Sequence, residues 1–156
     1  MKIIGIDPGF TTGIVIAELQ KDVVKVIHSE EVALDDNRSF HTFVRLVTMH
    51  SPDIAVIEKV VLHGPFNRDK FHQCLAYRDA VLAVRNSLPP EKVSFFTPEQ
   101  RKRMGASPIA RTVVKGNHAK DAFSLIVAYL SQHHKELWVK LNGNATSSAK
   151  SGGTAG

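Results

Sequence analysis

Residues 2–19 read KIIGIDPGFTTGIVIAEL, two short apolar runs on either side of a glycine-rich turn. The first run, residues 2–7, is too short for a helix and ends at Pro8-Gly9, so it predicts a buried strand followed by a turn. The second run, residues 13–19, predicts another strand. Because only a tight turn separates the two runs, we expect the strands to pair antiparallel.

The order of the elements after this pair predicts the fold class. A third β-rich segment follows, and strands then alternate with helical patterns that end at prolines. The order β-β-β-α-β-α-β-(α)-α predicts an α/β fold, a five-stranded mixed sheet flanked by helices. The further predicted strands span residues 23–32, 53–58 and 93–96. The first predicted helix follows residues 35–37 and ends before Pro52. The others are a helix over residues 68–88, a short basic helix from residue 97 and a last helix over residues 119–141.

Length and composition predict one domain. The chain has 156 residues and is 43% hydrophobic and 22% charged, ordinary values for a globular protein. No apolar run approaches the roughly 18 residues of a membrane helix, and the single cysteine, Cys74, forms no internal disulfide. We therefore expect a cytoplasmic protein with no membrane partner. Its domain is predicted to span 1–141, and the Gly/Ser/Thr/Ala-rich segment 142–156 is predicted to be disordered.

The positive charge is concentrated in one part of the chain. The formal net charge is +5, but residues 1–60 carry six basic and nine acidic side chains, whereas residues 91–120 carry seven basic and two acidic ones. Such concentration is typical of proteins that bind a phosphate backbone. A solvated basic face explains the charge alone equally well.

Two carboxylates end apolar strands where sheet packing does not need them. Asp7 closes the first strand and Glu58 closes the fourth, although acidic residues are depleted in strands and are rarely buried without a partner. If the two strands are neighbours, both side chains emerge at the same sheet edge, where α/β proteins place their ligands. Alternatively, each carboxylate is hydrogen-bonded to loop amides.

The last predicted helix begins with a third polar group. His118 and Asp121 are three residues apart, and so lie on one face of the first turn. Alternatively, Asn117 or His118 caps this helix and Asp121 complements its dipole. Taken with Asp7 and Glu58, the pair would complete an oxygen-rich cation site with one imidazole. Such ligands suit Mg²⁺ or Mn²⁺, and two ions of this kind can drive phosphodiester hydrolysis.

Four motifs in order resemble the RuvC family of Holliday junction resolvases, which has a ribonuclease H-like fold. The motifs are IIGIDPGFTTG (3–13), VIEKV (56–60), TPEQRK (97–102), similar to the family's Pro-x-x-Val-Lys stretch, and HAKDA (118–122). The resemblance covers about residues 1–130. It implies a homodimeric, metal-dependent endonuclease that makes paired cuts in a four-way DNA junction, leaving 5′-phosphate and 3′-hydroxyl ends.

The resemblance also suggests roles for individual residues. Asp7 is expected to bridge two Mg²⁺ or Mn²⁺ ions, with Glu58 on one and with Asp121 and His118 on the other. Lys102 takes the place of a basic residue that supports the scissile phosphate. The basic residues expected to hold backbone phosphates at a distance from the chemistry are Arg101, Arg103, Arg111 and Lys115.

Two departures from the family pattern concern the junction. The segment between Lys102 and His118 is shorter than in the bacterial enzymes of the family. Members tend to carry an aromatic wedge just after the strand-four Glu, whereas this chain has VVL (60–62) there and Phe66 further along. These departures suggest a compact, phage-type member in a bacterial or phage-infected cell, with broader tolerance for branched DNA.

The helix 68–88 is the expected dimer interface. Phe71, Leu75 and Leu82 form one apolar stripe, and a second stripe through Tyr77 and Val81 lies roughly 100–120° away on the helix. If one stripe covers the sheet, the other needs a partner. That partner is either a neighbouring helix of the same chain or, as paired incision requires, a second copy.

Other functions remain alternatives. One is a related ribonuclease H-like nuclease that acts on flaps or RNA, and another is a junction-binding module without catalysis. The turn 5–13 also resembles the first phosphate loop of actin-like and sugar-kinase ATPases, which need more than twice this length.

Overall fold

The computed structural model describes residues 1–21, 23–33, 39–105 and 114–137. The strands are β1 (Lys2–Asp7), β2 (Thr11–Gln20), β3 (Val23–Ala33), β4 (Ile54–Glu58) and β5 (Val93–Phe96), and the helices are α1 (Ser39–His50), α2 (Arg68–Arg85), α3 (Pro98–Met104) and α4 (Asn117–His133). This order is the predicted one, and a 3₁₀ turn (Pro90–Lys92) precedes β5.

The five strands form one mixed sheet in the order β3-β2-β1-β4-β5. The first three pair antiparallel, whereas β4 lies parallel to both β1 and β5. The first and fourth strands are therefore neighbours, which is the condition under which the sequence places Asp7 and Glu58 at the same sheet edge. In their register Ile6 lies opposite Ile57, so Asp7 and Glu58 leave the sheet side by side.

One face of the sheet is covered by α1 and α2. Its core is apolar and includes Ile6, Ile57 and Phe43 from α1, all fully buried. Two alanines of α2, Ala80 and Ala83, complete it. Small side chains let the helix lie close to its neighbours, which is why the buried face of α2 is largely the alanine face and not a stripe of large residues.

The other face is covered by α4. Its core includes Ile3, Val15 and Val56 from the sheet and Leu125 and Ile126 from the helix. At Gly5 the helix comes so near that a Cβ atom would overlap the carbonyl oxygen of Ala122. The close contact fixes α4 against the central strands.

Several predicted boundaries differ from the structure by a few residues. β2 begins at Thr11 instead of residue 13, because the turn after β1 is tighter than the sequence suggested. α2 ends at Arg85, three residues before the predicted end. α4 begins at Asn117, two residues early, and ends at His133, eight residues before the predicted end, because the backbone leaves the helical conformation at His134; residues 138–141 lie outside the described residues.

Two further expectations can be placed in the structure. Of the apolar stripes on α2, Phe71 and Leu82 are about half exposed, whereas Tyr77 and Val81 pack partly against the core. Within the described ranges, no helix is both long and apolar enough to cross a membrane. The segment 142–156 lies outside the described residues.

Candidate active site

A single row of residues across the sheet builds one edge of the site. Asp7 on β1 is paired with Gly13 on β2, and Gly13 is paired with Glu31 on β3. On the other side of Asp7, Glu58 ends β4 next to Phe96 of β5. Side chains alternate between the faces of a sheet, and this row faces α4. The fold therefore brings both strand-end carboxylates under the beginning of that helix.

Asp7 is buried and its side chain pairs with His118 of α4. Its side chain is 10% exposed, and its Oδ2 lies 3.1 Å from Nδ1 of His118. The turn after it is closed by Thr12, whose hydroxyl accepts a hydrogen bond from the Gly9 amide at 3.2 Å and lies 3.1 Å from the Gly9 carbonyl, to which it can donate. The predicted pairing of the first strand with the last helix is thus realised by an aspartate and a histidine.

Glu58 and Asp121 meet through an arginine. The Arg101 guanidinium donates from Nε to Glu58 Oε2, and its Nη1 lies 2.6 Å from Asp121 Oδ1. Arg101 is only 8% exposed. From the sequence, Arg101 is expected to hold DNA phosphates at a distance from the carboxylates. Its position in the structure differs, because α3 follows β5 at the same sheet edge and points its first inward-facing side chain into the cluster.

The beginning of α4 is positioned by a glycine and a glutamate. A Cβ at Gly13 would overlap the backbone of His118, so only glycine lets the helix begin there. Glu31 Oε1 accepts hydrogen bonds from the amides of His118 and Ala119 at 2.6 and 3.1 Å. Its carboxylate also lies against Gly116, the N-cap residue, whose φ is 91°.

This arrangement replaces the local caps considered from the sequence. The N-cap residue Gly116 has no side chain to accept a hydrogen bond, and neither Asn117 nor His118 takes that role. A carboxylate brought from β3 satisfies the free amides and complements the helix dipole instead. The role of Glu31 is not evident from the sequence, since its partner His118 is 87 positions away along the chain.

Burial changes the acidity of the two strand-end carboxyls. It raises the pKa of Glu58 to about 7, against the opposing hydrogen bond from Arg101 and with the charge of Asp7 adding to the rise. Burial likewise raises the pKa of Asp7, opposed by the hydrogen bond with His118. The pKa of Arg101 is raised, because although its burial acts to lower it, the hydrogen bond and charge of Glu58 outweigh that effect. Such shifts are typical of sites built for chemistry.

The other predicted phosphate-binding residues lie around this cluster. Lys102 and Arg103 follow Arg101 on α3 and are exposed, as is Lys115 just before α4. Successive residues on a helix point about 100° apart, so these side chains face solvent while Arg101 faces inward. Arg111 lies outside the described residues.

A group of exposed aromatic rings includes Phe10, in the turn that follows Asp7. Phe10 is 52% exposed and packs edge-on against His72 of α2, which in turn contacts Phe71. Phe66 joins Phe71 at a ring separation of 6.5 Å. The loop before Phe66 is held by Lys70, whose ammonium donates to the carbonyl of Pro65 at 2.7 Å. These rings (Phe10, Phe66, Phe71 and His72) form an exposed aromatic patch, and Lys70 holds the backbone of the loop before Phe66 in place.

The donor set fits a divalent cation in its chemistry. Three carboxylates and one imidazole offer the oxygen-rich environment that Mg²⁺ and Mn²⁺ prefer, and the Arg101 guanidinium already stands in as a cation on two of them. Among the residues that the structure describes, however, no three His, Cys, Asp or Glu side chains lie close enough to hold one ion. Side-chain rearrangement would have to accompany ion binding.

Comparisons with known proteins give a fold. No protein-family model matches the chain, and no curated protein matches it in sequence. Among solved structures, it is similar to Thermus thermophilus RuvC in complex with a Holliday junction substrate, with a TM-score of 0.71 and 15% identity over 88% of this chain and 97% of the other.

Two further resolvases have the same architecture. The fowlpox virus Holliday junction resolvase matches with a TM-score of 0.57 and 17% identity over 85% of this chain and 99% of its own. The yeast mitochondrial Holliday junction resolvase matches with a TM-score of 0.61 and 10% identity over 88% and 83%. The predicted fold is thus confirmed: this chain has the ribonuclease H-like fold of RuvC and other Holliday junction resolvases.

Proposed function

We propose that this protein is a metal-dependent, structure-selective endodeoxyribonuclease that resolves four-way DNA junctions. It would hydrolyse two opposed phosphodiester bonds and leave 5′-phosphate and 3′-hydroxyl ends. The observation that carries the proposal is the clustering of Asp7, Glu58, Asp121 and His118 at one edge of the sheet. The similarity of the whole fold to junction resolvases, one of them bound to a junction substrate, supports the same class of reaction.

Four residues of the chain would bind the metal ion. The carboxylates of Asp7, Glu58 and Asp121, with His118, would hold the divalent cation, whose chemistry is to activate water and stabilise the leaving oxygen. Asp7 and Glu58 come from neighbouring parallel strands and so are fixed relative to each other. The paired strands hold their backbones in place, so only the side chains would have to reorient when an ion binds.

The distribution of charge supports a nucleic-acid substrate. Exposed Lys102 and Arg103 on α3 and exposed Lys115 before α4 lie on the two segments that border the acidic cluster. Lys102 would steady the charge developing on the scissile phosphate, whereas the others, with Arg111, would hold phosphates along the backbone. Salt should therefore weaken binding steeply.

The exposed aromatic patch suits a branched substrate better than a continuous duplex. Rings such as Phe10 and Phe66 can stack on unpaired bases, which are present at a junction's crossing point but not within a helix. Phe66 lies in the loop that follows β4, the strand that ends in Glu58. Stacking there would place the branch point beside the carboxylates.

Paired incision requires two active sites related by symmetry. We propose a homodimer through α2, whose Phe71 and Leu82 remain about half exposed in the single chain. A two-fold axis through this helix would present two acidic clusters to opposed strands of one junction.

The deciding experiment is gel-resolved cleavage of a synthetic, immobile four-way junction in Mg²⁺ or Mn²⁺. Linear duplex, flap and RNA–DNA hybrid substrates serve as competitors. Symmetric paired nicks by the wild type that Glu58→Gln loses would establish the activity at this site. Glu91→Gln is the matched control, because Glu91 is exposed before β5, away from the strand ends that carry Asp7 and Glu58.

Other outcomes would redirect the function. Preference for the flap or the hybrid would indicate a related nuclease with another substrate. Tight junction binding without cutting in either metal would indicate a binding module, and equal cutting by Glu58→Gln would separate the activity from this cluster.

A further inference from the structure

We propose that Arg101 is a built-in cation of the acidic cluster and takes the place of one of the two divalent ions, so that this site binds a single ion. The inference deepens the proposed function, on which it rests for the presence of a metal. It differs from the two-ion site that the sequence suggested.

The contacts of Arg101 are those of a bridging cation. Its guanidinium joins Glu58, from the sheet, to Asp121, from α4, by two separate nitrogen atoms. The side chain is only 10% exposed, compared with the 40% exposure of the Asp121 side chain. A planar guanidinium can hold two carboxylates at once and keeps its charge when buried, so this position is occupied by a permanent positive charge.

The helix that carries Arg101 is firmly anchored. A capping box closes its beginning, with the Thr97 hydroxyl accepting from the Gln100 amide at 3.1 Å and the Gln100 side chain accepting from the Thr97 amide at 2.9 Å. Its end packs at Gly105, where a Cβ would overlap the carbonyl oxygen of Ser124 on α4. The guanidinium is therefore held in the cluster by a fixed backbone at both ends.

The charge of the cluster matches one divalent ion. Asp7, Glu58 and Asp121 contribute three negative charges when ionised, and Arg101 offsets one of them. One divalent ion would neutralise the remaining two charges. A second would leave the cluster positive before any phosphate arrived, and it would compete with the guanidinium for the same carboxylate oxygens.

The remaining donors are grouped on the other side. Asp7 and His118 are paired with each other at 3.1 Å, while Glu58 and Asp121 are paired with Arg101. Two of the four expected ligands therefore pair with Arg101, whereas the other two pair with each other. The single ion is expected nearest Asp7 and His118, and Glu58 and Asp121 could each reach it only through the carboxylate oxygen that Arg101 does not contact.

Counting bound Mn²⁺ on the full-length protein tests this directly. Calorimetric titration and electron paramagnetic resonance of free Mn²⁺ would give the number and affinity of ions for wild type and for Arg101→Gln. We expect one ion in the wild type, and in the variant either a second ion or at least tenfold tighter binding. Arg45→Gln removes the same charge from an exposed position on α1, on the opposite face, and should change neither value.

Two ions in the wild type, or an unchanged count and affinity in Arg101→Gln, would overturn the inference while leaving the metal site intact. Absence of Mn²⁺ binding in both proteins would overturn the metal centre of the proposed function as well. Should Arg101→Gln not fold, Arg101→Lys keeps the charge without the double contact, and weaker exclusion of the second ion is then expected. A circular dichroism melt of each variant establishes that it is folded.

Discussion

The two faces of the sheet follow the same alternation of side chains but end differently. Towards α1 and α2, β1 presents Ile4 and Ile6 and β4 presents Ala55 and Ile57, so on this face both strands are apolar up to their carboxyl ends. Towards α4, the same strands end one residue later in Asp7 and Glu58. The first face shows that both strands can pack with apolar side chains up to their last positions. The acidic row on the second face is therefore not required by folding, and it marks the site.

The largest effect expected from this difference is loss of cleavage in Asp7→Asn. The amide keeps the shape of the carboxylate and can still bond to His118, but it is a poor ligand for a divalent cation. Junction cutting should fall by at least about 10³-fold, as when a key group for transition-state charge is removed. Rates under single-turnover conditions, with enzyme in excess, would measure it.

The same substitution should raise the stability of the metal-free protein. Like charges about 4 Å apart repel by up to ~4 kcal/mol at an effective dielectric constant of about 20, and Asp7 shares the cluster with Glu58 and Asp121. Since Arg101 offsets part of this repulsion, a gain of about 1 kcal/mol is expected in urea unfolding with EDTA at pH 8. An Asp7→Asn variant less stable than wild type would mean that the pairing with His118 outweighs the repulsion.

On the apolar face the sign of the effect is reversed. Ile57 is fully buried next to Glu58 in sequence but points towards α2. Replacing it with alanine removes packed methyl groups and should cost about 2–4 kcal/mol of unfolding free energy. Cleavage per folded molecule should change little, because the side chain does not reach the acidic row. A thousandfold loss of activity at a temperature where the variant is folded would contradict this separation of the faces.

The acidic row should also make stability depend on pH. A pKa of Glu58 raised from 4.5 to about 7 means that the folded protein holds this proton more tightly than the unfolded chain does. Glu58 therefore favours folding at low pH, and that contribution is lost as the pH rises from about 4.5 to 7. The raised pKa of Asp7 acts in the same direction.

Comparing wild type with Glu58→Gln isolates this effect from other carboxyls. The variant cannot lose a proton there, so its stability relative to wild type should increase by up to about 3 kcal/mol between pH 5 and pH 8. Urea unfolding in EDTA across that range measures the difference. A constant difference would show that Arg101 keeps Glu58 ionised throughout.

Sequence periodicity predicted the sheet well because its central strands are simple. Uninterrupted apolar runs with a terminal carboxylate mark β1 and β4, whereas the parallel pairing of these two strands is seen only in the structure. With these strands paired, the expected gathering of Asp7, Glu58, His118 and Asp121 at one sheet edge follows from the topology, although the sequence did not predict which of them pair. Local sequence patterns therefore pointed to most residues of the candidate site.

Two contacts could not be read from the chain because they join distant segments. Arg101 is the first of three consecutive basic residues, and nothing in its charge distinguishes it from Lys102 and Arg103; only the direction of α3 sends it inward. Glu31 resembles an ordinary exposed glutamate on an edge strand until α4 is placed over it. A signal does exist in hindsight: α4 begins after Gly116 without a local cap, so its amides need an acceptor from elsewhere.

The smallest expected effect concerns this remote cap, which links the edge strand to the acidic row. Glu31→Ala leaves the amides of His118 and Ala119 without their acceptor and removes a negative charge from the helix N-terminus. By analogy with lost N-caps, stability should fall by about 1 kcal/mol. Glu31→Gln keeps an acceptor oxygen and should recover roughly half of that loss. Urea unfolding of the three proteins tests the order wild type, Gln, Ala; if Gln and Ala are equally destabilised, the charge of Glu31 and not its hydrogen bonds holds the beginning of α4 over Asp7.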